Sequence, residues 1–245
     1  MTFNGKIMNY KIIVTLGEEE LKDYQNPAIA EADILEIRLD LLDSYFLRAE
    51  LLPILKKISK PILFTYRNPK DSSEASNTSL QFKDIEPVLN EYNSDENYLD
   101  IELDQDKSIF DSIVNCRYTI IYSYHDFSKS ITREEMLEWI SKKQTPDCIY
   151  KFAVTPNDIS KLDTFLRDLA FISKANKVIG IAMGKIGVYS RVFGDRFGSL
   201  ATYCCIGKPR APGQVNVIAI KKIREEYQNK PLPEIENEIS SEDFL

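Results

Sequence analysis

The chain has 245 residues, 43 % of them apolar, with 38 acidic against 31 basic side chains and a formal net charge of −7. That balance excludes wholesale binding to nucleic acid or to an anionic membrane, but leaves room for a small anionic ligand wherever a few arginines gather. The cysteines Cys116, Cys148, Cys204 and Cys205 show no CxxC spacing, and no apolar run approaches the ~18–20 residues that span a bilayer. Residues 1–10 lack the apolar core of a signal peptide. Buried thiols in a soluble cytoplasmic protein are the expectation.

Taken in order, residues 11–16 (KIIVTL) read as a first strand, and 18–30 as a helix with an acidic first turn. Residues 33–40 alternate strictly, with Leu35, Ile37 and Leu39 on one face and Glu36, Arg38 and Asp40 on the other. A helix over 44–58 leads to a third strand over 61–67, ending at Arg67. Residues 68–78 are polar and loop-like, and 80–92 are helical. The alternation recurs over 98–104, with Asp100, Glu102 and Asp104 on one face. A fifth strand over 118–124 runs into His125, and Thr132 with Glu135 forms a capping box for a helix reaching about residue 143. The sixth strand, 149–156, carries Lys151 in its middle; Asn157 is placed to cap the helix over 157–174. Strands over 178–183 and 200–206 bracket a glycine-bounded loop and short helix over 184–197. Pro212-Gly213-Gln214 breaks the chain before a last helix over 215–227, and 231–245 form an acidic tail expected to be flexible. Regular strand–helix alternation over this length predicts one domain, residues 1–230, with the (β/α)8 barrel architecture of the α/β class. The rival doubly wound sheet lacks its phosphate-cradling GxGxxG or GxxxxGK[ST] motif.

In such a barrel the carboxyl ends of the strands build the active site. Those ends supply Glu36, Arg38 and Asp40; Arg67; Glu102 and Asp104; His125; and Lys151, with Arg191 and Gln214 in later loops. A lysine amid apolar strand residues is paired, used, or reaches solvent from an edge. Desolvation favours its neutral form, a nucleophile for carbonyl carbon. His125, the only histidine, is either a satisfied structural group or a proton shuttle beside that amine. Arg191 is a carboxylate fork or a surface residue. An ion-pair network supporting the barrel accounts for Asp40, Asp100 and Glu102 as well as substrate contact does.

Together these segments resemble the type I 3-dehydroquinate dehydratases of the shikimate pathway. The matching pieces are Glu36-Ile37-Arg38-Leu39-Asp40, Leu63 to Arg67, Ser123 to Phe127, Lys151 to Pro156, Met183 to Gly187 with Ser190-Arg191, Phe197-Gly198-Ser199, and Ala211-Pro212-Gly213-Gln214. Each is weak alone; their order and spacing are specific. The resemblance implies dehydration of 3-dehydroquinate to 3-dehydroshikimate through a Schiff base on Lys151, with His125 moving protons. It implies substrate contacts from Glu36, Arg38, Arg67, Arg191 and Gln214, no metal or other cofactor, and a homodimer. The chain departs from the family pattern at Asp71-Ser72-Ser73, where a Glu-Gly-Gly is usual and its glutamate supports the histidine, and at Arg210, where a serine is usual. Asp71 keeps the charge one methylene shorter. Arg210 either adds a carboxylate donor or points outward. A class I aldolase and a binding homologue without turnover are the alternatives.

Overall fold

A computed structural model describes residues 10–67, 82–103, 116–143 and 145–227, together with the backbone of 2–3 and 6–7. Asp71, Asp104, the 68–78 loop and the acidic tail lie outside the described residues. Eight barrel strands follow chain order: β1 (Lys11–Leu16), β2 (Ile34–Arg38), β3 (Ile62–Thr65), β4 (Tyr98–Glu102), β5 (Thr119–Asp126), β6 (Ile149–Val154), β7 (Val178–Ala182) and β8 (Ala201–Cys205), and a ninth, two-residue strand, Val215–Asn216, pairs in parallel with β8. Each is parallel to its successor from β1 to β7, and β8 pairs with β1 from Ala201 opposite Lys11 to Cys204 opposite Val14. The seam between β7 and β8 closes more thinly, through a bridge of Val178 with Ser199 and a 2.9 Å bond from the Leu200 N–H to the Val178 carbonyl. The sequence thus forms the expected (β/α)8 barrel.

Strand alternation sorts the side chains into two cores. Tyr150, Phe152 and Val154 of β6 point outward and pack with residues such as Leu35, Ile37 and Phe64 under the helices. Ile13, Ile34, Leu63, Ile121, Ile149, Ile179 and Ala201 fill the barrel floor. Burying each large side chain of this kind is worth about 1.5–3 kcal/mol. Above that floor the inward positions turn polar, with Thr15, Glu36, Thr65, Asp100, Ser123 and Lys151 all buried.

The helices are shorter than the periodicity suggests. The first splits into α1 (Glu18–Lys22) and α2 (Pro27–Ala30). Pro27 cannot continue a helix as a donor, so it starts a new one, and the Asn26 side chain caps it by accepting from the Ala28 N–H at 3.0 Å. A π-helical turn over Phe46–Glu50 runs into α3 (Leu51–Leu55). The others are α4 (Phe82–Glu91), α5 (Arg133–Lys142), α6 (Ile159–Ile172), α7 (Val188–Phe193) and α8 (Val217–Tyr227). Thr132 and Glu135 form the expected capping box of α5. The cap of α6 is Asp158 rather than Asn157, its carboxylate accepting from the Lys161 N–H. β2 ends at Arg38, so Asp40 leaves the alternation and sits in a 3-10 turn, Leu39–Leu41.

Candidate active site

The barrel mouth holds a cleft with about 540 Å³ of open space, solvent entrance included, a size suited to a small molecule. Lys151, His125, Arg191 and Gln214 line it together with Arg38 and Arg67. Residues named from six different strand–loop units therefore converge on one cavity.

Lys151 points inward from the middle of β6 and is buried. Its Nζ lies 3.0 Å from Asp100 Oδ2 and 4.2 Å from the centre of the Tyr203 ring. Burial depresses the amine's pKa; Asp100 works against that and Arg67 with it. The positive charge acting most on the amine comes from Arg67 on the β3 side.

Arg67 follows β3 and organises the acids of β4. One of its terminal nitrogens donates to Asp100 at 3.0 Å, Glu102 at 3.2 Å and Ser123 at 2.9 Å, and lies 3.4 Å from His125 Nδ1. Burial would lower the guanidinium's pKa, but Asp100 and Glu102 more than reverse that. Burial likewise would raise the Asp100 carboxyl, yet Arg67, Lys151 and His125 hold it well below the usual carboxylate range. Asp100 and Glu102 are thus tied into an ion-pair network.

The contact of His125 Nδ1 with Arg67, at 3.4 Å, is the longest this guanidinium nitrogen makes, and its two hydrogens have shorter acceptors in Ser123 and Asp100. Burial first, then Arg67 and Lys151, push the imidazole pKa well below 6.5. The ring is neutral at pH 7, as a proton acceptor must be.

Glu36 is fixed from two sides. Thr15 donates to one oxygen at 2.6 Å and Thr65 to the other at 2.8 Å. The Gln214 amide donates to Thr15 at 3.2 Å, and its oxygen accepts from the Arg210 N–H at 2.6 Å. Arg38 forms a bidentate pair with Asp40, at 2.9 and 2.7 Å, which answers where that acid goes: it serves its neighbour.

The two remaining arginines differ. Arg210 binds both oxygens of Glu20 on α1, at 2.8 and 2.7 Å, so its charge is neutralised at the rim. Arg191, on α7, is 1 % exposed and donates to the carbonyls of Pro212, at 3.0 Å, and Tyr203, at 3.5 Å. Among the described residues its Nε has no hydrogen-bond partner and no carboxylate pairs with it. Burial lowers its pKa to about 10, which leaves it charged at pH 7. The loop it holds turns at Gly213, whose φ of +71° and whose missing Cβ, 2.4 Å from the Gly184 oxygen, both require glycine. A buried, unpaired guanidinium facing a cleft is a receptor for an anion. Among the described residues, no cluster of three or more His, Cys, Asp or Glu side chains could hold a metal ion, and no helix is long and apolar enough to cross a membrane.

A family model described as type I 3-dehydroquinase matches residues 12–231. The chain belongs to the type I 3-dehydroquinase family. It is 33 % identical over 196 residues to 3-dehydroquinate dehydratase of Methanobrevibacter smithii, covering 78 % of this chain and 83 % of that one. With the enzyme of the same name from Salmonella typhimurium it shares 31 % identity over 230 residues, covering 87 % and 91 %. In fold it is similar to the crystal structure of 3-dehydroquinate dehydratase from Geobacillus kaustophilus, with a TM-score of 0.77, 22 % identity and coverage of 91 % and 92 %. It is also similar to the type I enzyme of Clostridium difficile solved with covalently modified comenic acid, with a TM-score of 0.74, 24 % identity and coverage of 92 % and 94 %. Within this type I 3-dehydroquinase barrel, sequence reasoning overlooks Thr15, Thr65, Ser123 and Tyr203. The signal for Ser123 was present, two residues before His125 and hence on the same face of β5. Thr15 and Tyr203 lie on β1 and β8, whose own inward faces draw no attention because they carry no formal charge.

Proposed function

We propose that this family member dehydrates 3-dehydroquinate to 3-dehydroshikimate through an imine on Lys151. The observation that carries the reading is Lys151 itself, a desolvated amine 3.0 Å from a single carboxylate oxygen in a cleft where Arg191 offers an unpaired guanidinium. The names of the relatives specify the substrate.

In this scheme the neutral amine adds to the C3 ketone, and loss of water gives the iminium. The iminium makes a C2 proton acidic, because the electron pair left behind delocalises into it as an enamine. Neutral His125 takes that proton. The enamine pair then re-forms the iminium while expelling the C1 hydroxyl, which leaves as water with a proton supplied by His125. Hydrolysis of the conjugated iminium returns the amine and releases the enone. The net change is loss of one water from C1 and C2.

Arg191 and Gln214 hold the C1 carboxylate, and Glu36, Arg38 and Arg67 engage the ring hydroxyls. Arg210 acts through its backbone N–H, which orients Gln214. The resemblance gives Asp71 the role of supporting the histidine. The resemblance also carries a cytoplasmic homodimer into this proposal, which light scattering of the purified chain tests.

Borohydride added with 3-dehydroquinate should leave a reduced adduct on the Lys151 peptide, and without borohydride the absorbance of a conjugated enone should rise. Substrate binding with neither adduct nor enone overturns the reading.

A further inference from the structure

The mechanism leaves one buried polar group of the cleft without a task, the hydroxyl of Tyr203. β8 alternation carries this side chain inward from beside Ile13 of β1. The residue is 6 % exposed and lines the cleft. Its ring lies beneath the Lys151 amine, and its hydroxyl has no hydrogen-bond partner among the described residues. The charges that act on the phenol are Glu36, Asp100 and Arg67, on the β2 to β4 side of the mouth. Those acids already hold hydrogen-bond partners of their own. Both oxygens of Glu36 are engaged by Thr15 and Thr65. Those of Asp100 are engaged by Ser123, Arg67 and Lys151.

A buried hydroxyl without a partner is destabilising, and phenylalanine would fill the same space without that cost. The compensation becomes available only when an acceptor enters the cleft. Of the hydrogen-bond acceptors a bound ketone would bring, its own oxygen is the one nearest the amine, since it is attached to the carbon that Nζ attacks. We propose that Tyr203 is a further substrate-contacting residue, its hydroxyl donating a hydrogen bond to the oxygen on the carbon attacked by Lys151. This rests on the imine reading above. In the addition step the N–C bond forms, the carbon–oxygen π pair moves onto oxygen, and the proton shed by nitrogen ends there, giving the carbinolamine. Tyr203 keeps its own proton and steadies the oxygen while charge develops. Burial, then Glu36 and Asp100, raise its pKa well above 10, so it remains a donor throughout the working range.

Tyr203→Phe tests this, because it keeps the ring under the amine and removes only the oxygen. Formation of the borohydride-trappable adduct in a single turnover is expected to slow about tenfold. Affinity for a substrate analogue lacking the C3 oxygen should stay at the wild-type value, and the thermal midpoint should hold or rise. Wild-type adduct rates in Tyr203→Phe overturn the proposal, as does an equal loss of affinity for the C3-deoxy analogue. Absence of any adduct in the wild-type protein would instead strike the imine reading itself.

Discussion

Asp100 Oδ2 sits 3.0 Å from Lys151 Nζ, while the other oxygen of the same carboxylate accepts from Arg67 and Ser123. One carboxylate therefore faces two cations and restrains the fall in the lysine pKa that burial and Arg67 produce. Asp100→Asn removes that restraint. The amine limb of the kcat/KM profile should move to lower pH, where an exposed lysine would titrate near ~10.4. Breaking the buried network should also cost about 3–5 kcal/mol of stability, read by denaturant unfolding. A limb that stays in place or moves up contradicts this account of the amine.

His125 is the sole histidine, so its ring can be followed by NMR without assignment. Its midpoint should lie well below 6.5, because burial, Arg67 and Lys151 all disfavour the cation and Asp100 only partly opposes them. The sign for stability follows. As pH falls through 6.5 the unfolded chain takes up a proton that the folded chain refuses. The contribution is thus complete above 6.5 and is lost as pH falls toward the folded value. His125→Ala should lower kcat by about 10²–10⁴-fold while leaving a trappable adduct on Lys151. A midpoint at or above 6.5 would remove the basis for a neutral proton acceptor at pH 7.

Arg191 is the buried cation for which no carboxylate partner is seen among the described residues. Arg191→Lys keeps a charge but loses the planar fork and the hold on Pro212. The expected result is a rise in KM of about 10- to 100-fold, matching the ~1.5–3 kcal/mol of hydrogen bonds to charged groups. Isothermal titration with a carboxylate-bearing product analogue provides the direct check. An unchanged affinity would place the carboxylate elsewhere.

Glu20 and Arg210 form a rim pair whose side chains are only 12 % and 13 % exposed. Its function in this arrangement is to steady the turn that presents Gln214, through the Arg210 N–H. Glu20→Gln should raise KM about two- to fivefold with little change in kcat, within the range of a partly screened pair. Arg210→Ser should have an effect of similar size. If Arg210→Ser alone abolishes binding, the guanidinium reaches substrate directly.

Much of this was legible in the chain. Strict alternation over Glu36–Arg38 and the polar ends of successive strands locate the mouth, since period two leaves charged side chains no other face. The same rule fails at Asp40, where the chain turns after Arg38 and the acid folds back onto the guanidinium. The split after Lys22 was also written in Pro27, whose ring ends one helix pattern and begins another. Partnerships across the barrel were not legible. Nothing local says that Asp100 meets Lys151 rather than another cation, because that contact depends on the stagger between strands from β4 to β6. Tyr203 escaped for a different reason: its significance lies in a missing partner, which only a complete surrounding can reveal.

The thin seam between β7 and β8 gives the barrel an uneven stiffness. Lys151 stands on β6, laddered to β5 over six residue pairs and to β7 over five. Arg191 belongs to the segment that crosses the seam, where a single bridge joins Val178 to Ser199. A molecule bound between them meets the most fully laddered wall at its ketone and the least laddered one at its carboxylate. Local breathing concentrates where laddering is least. The two ends of one small molecule thus meet walls that are laddered to different degrees.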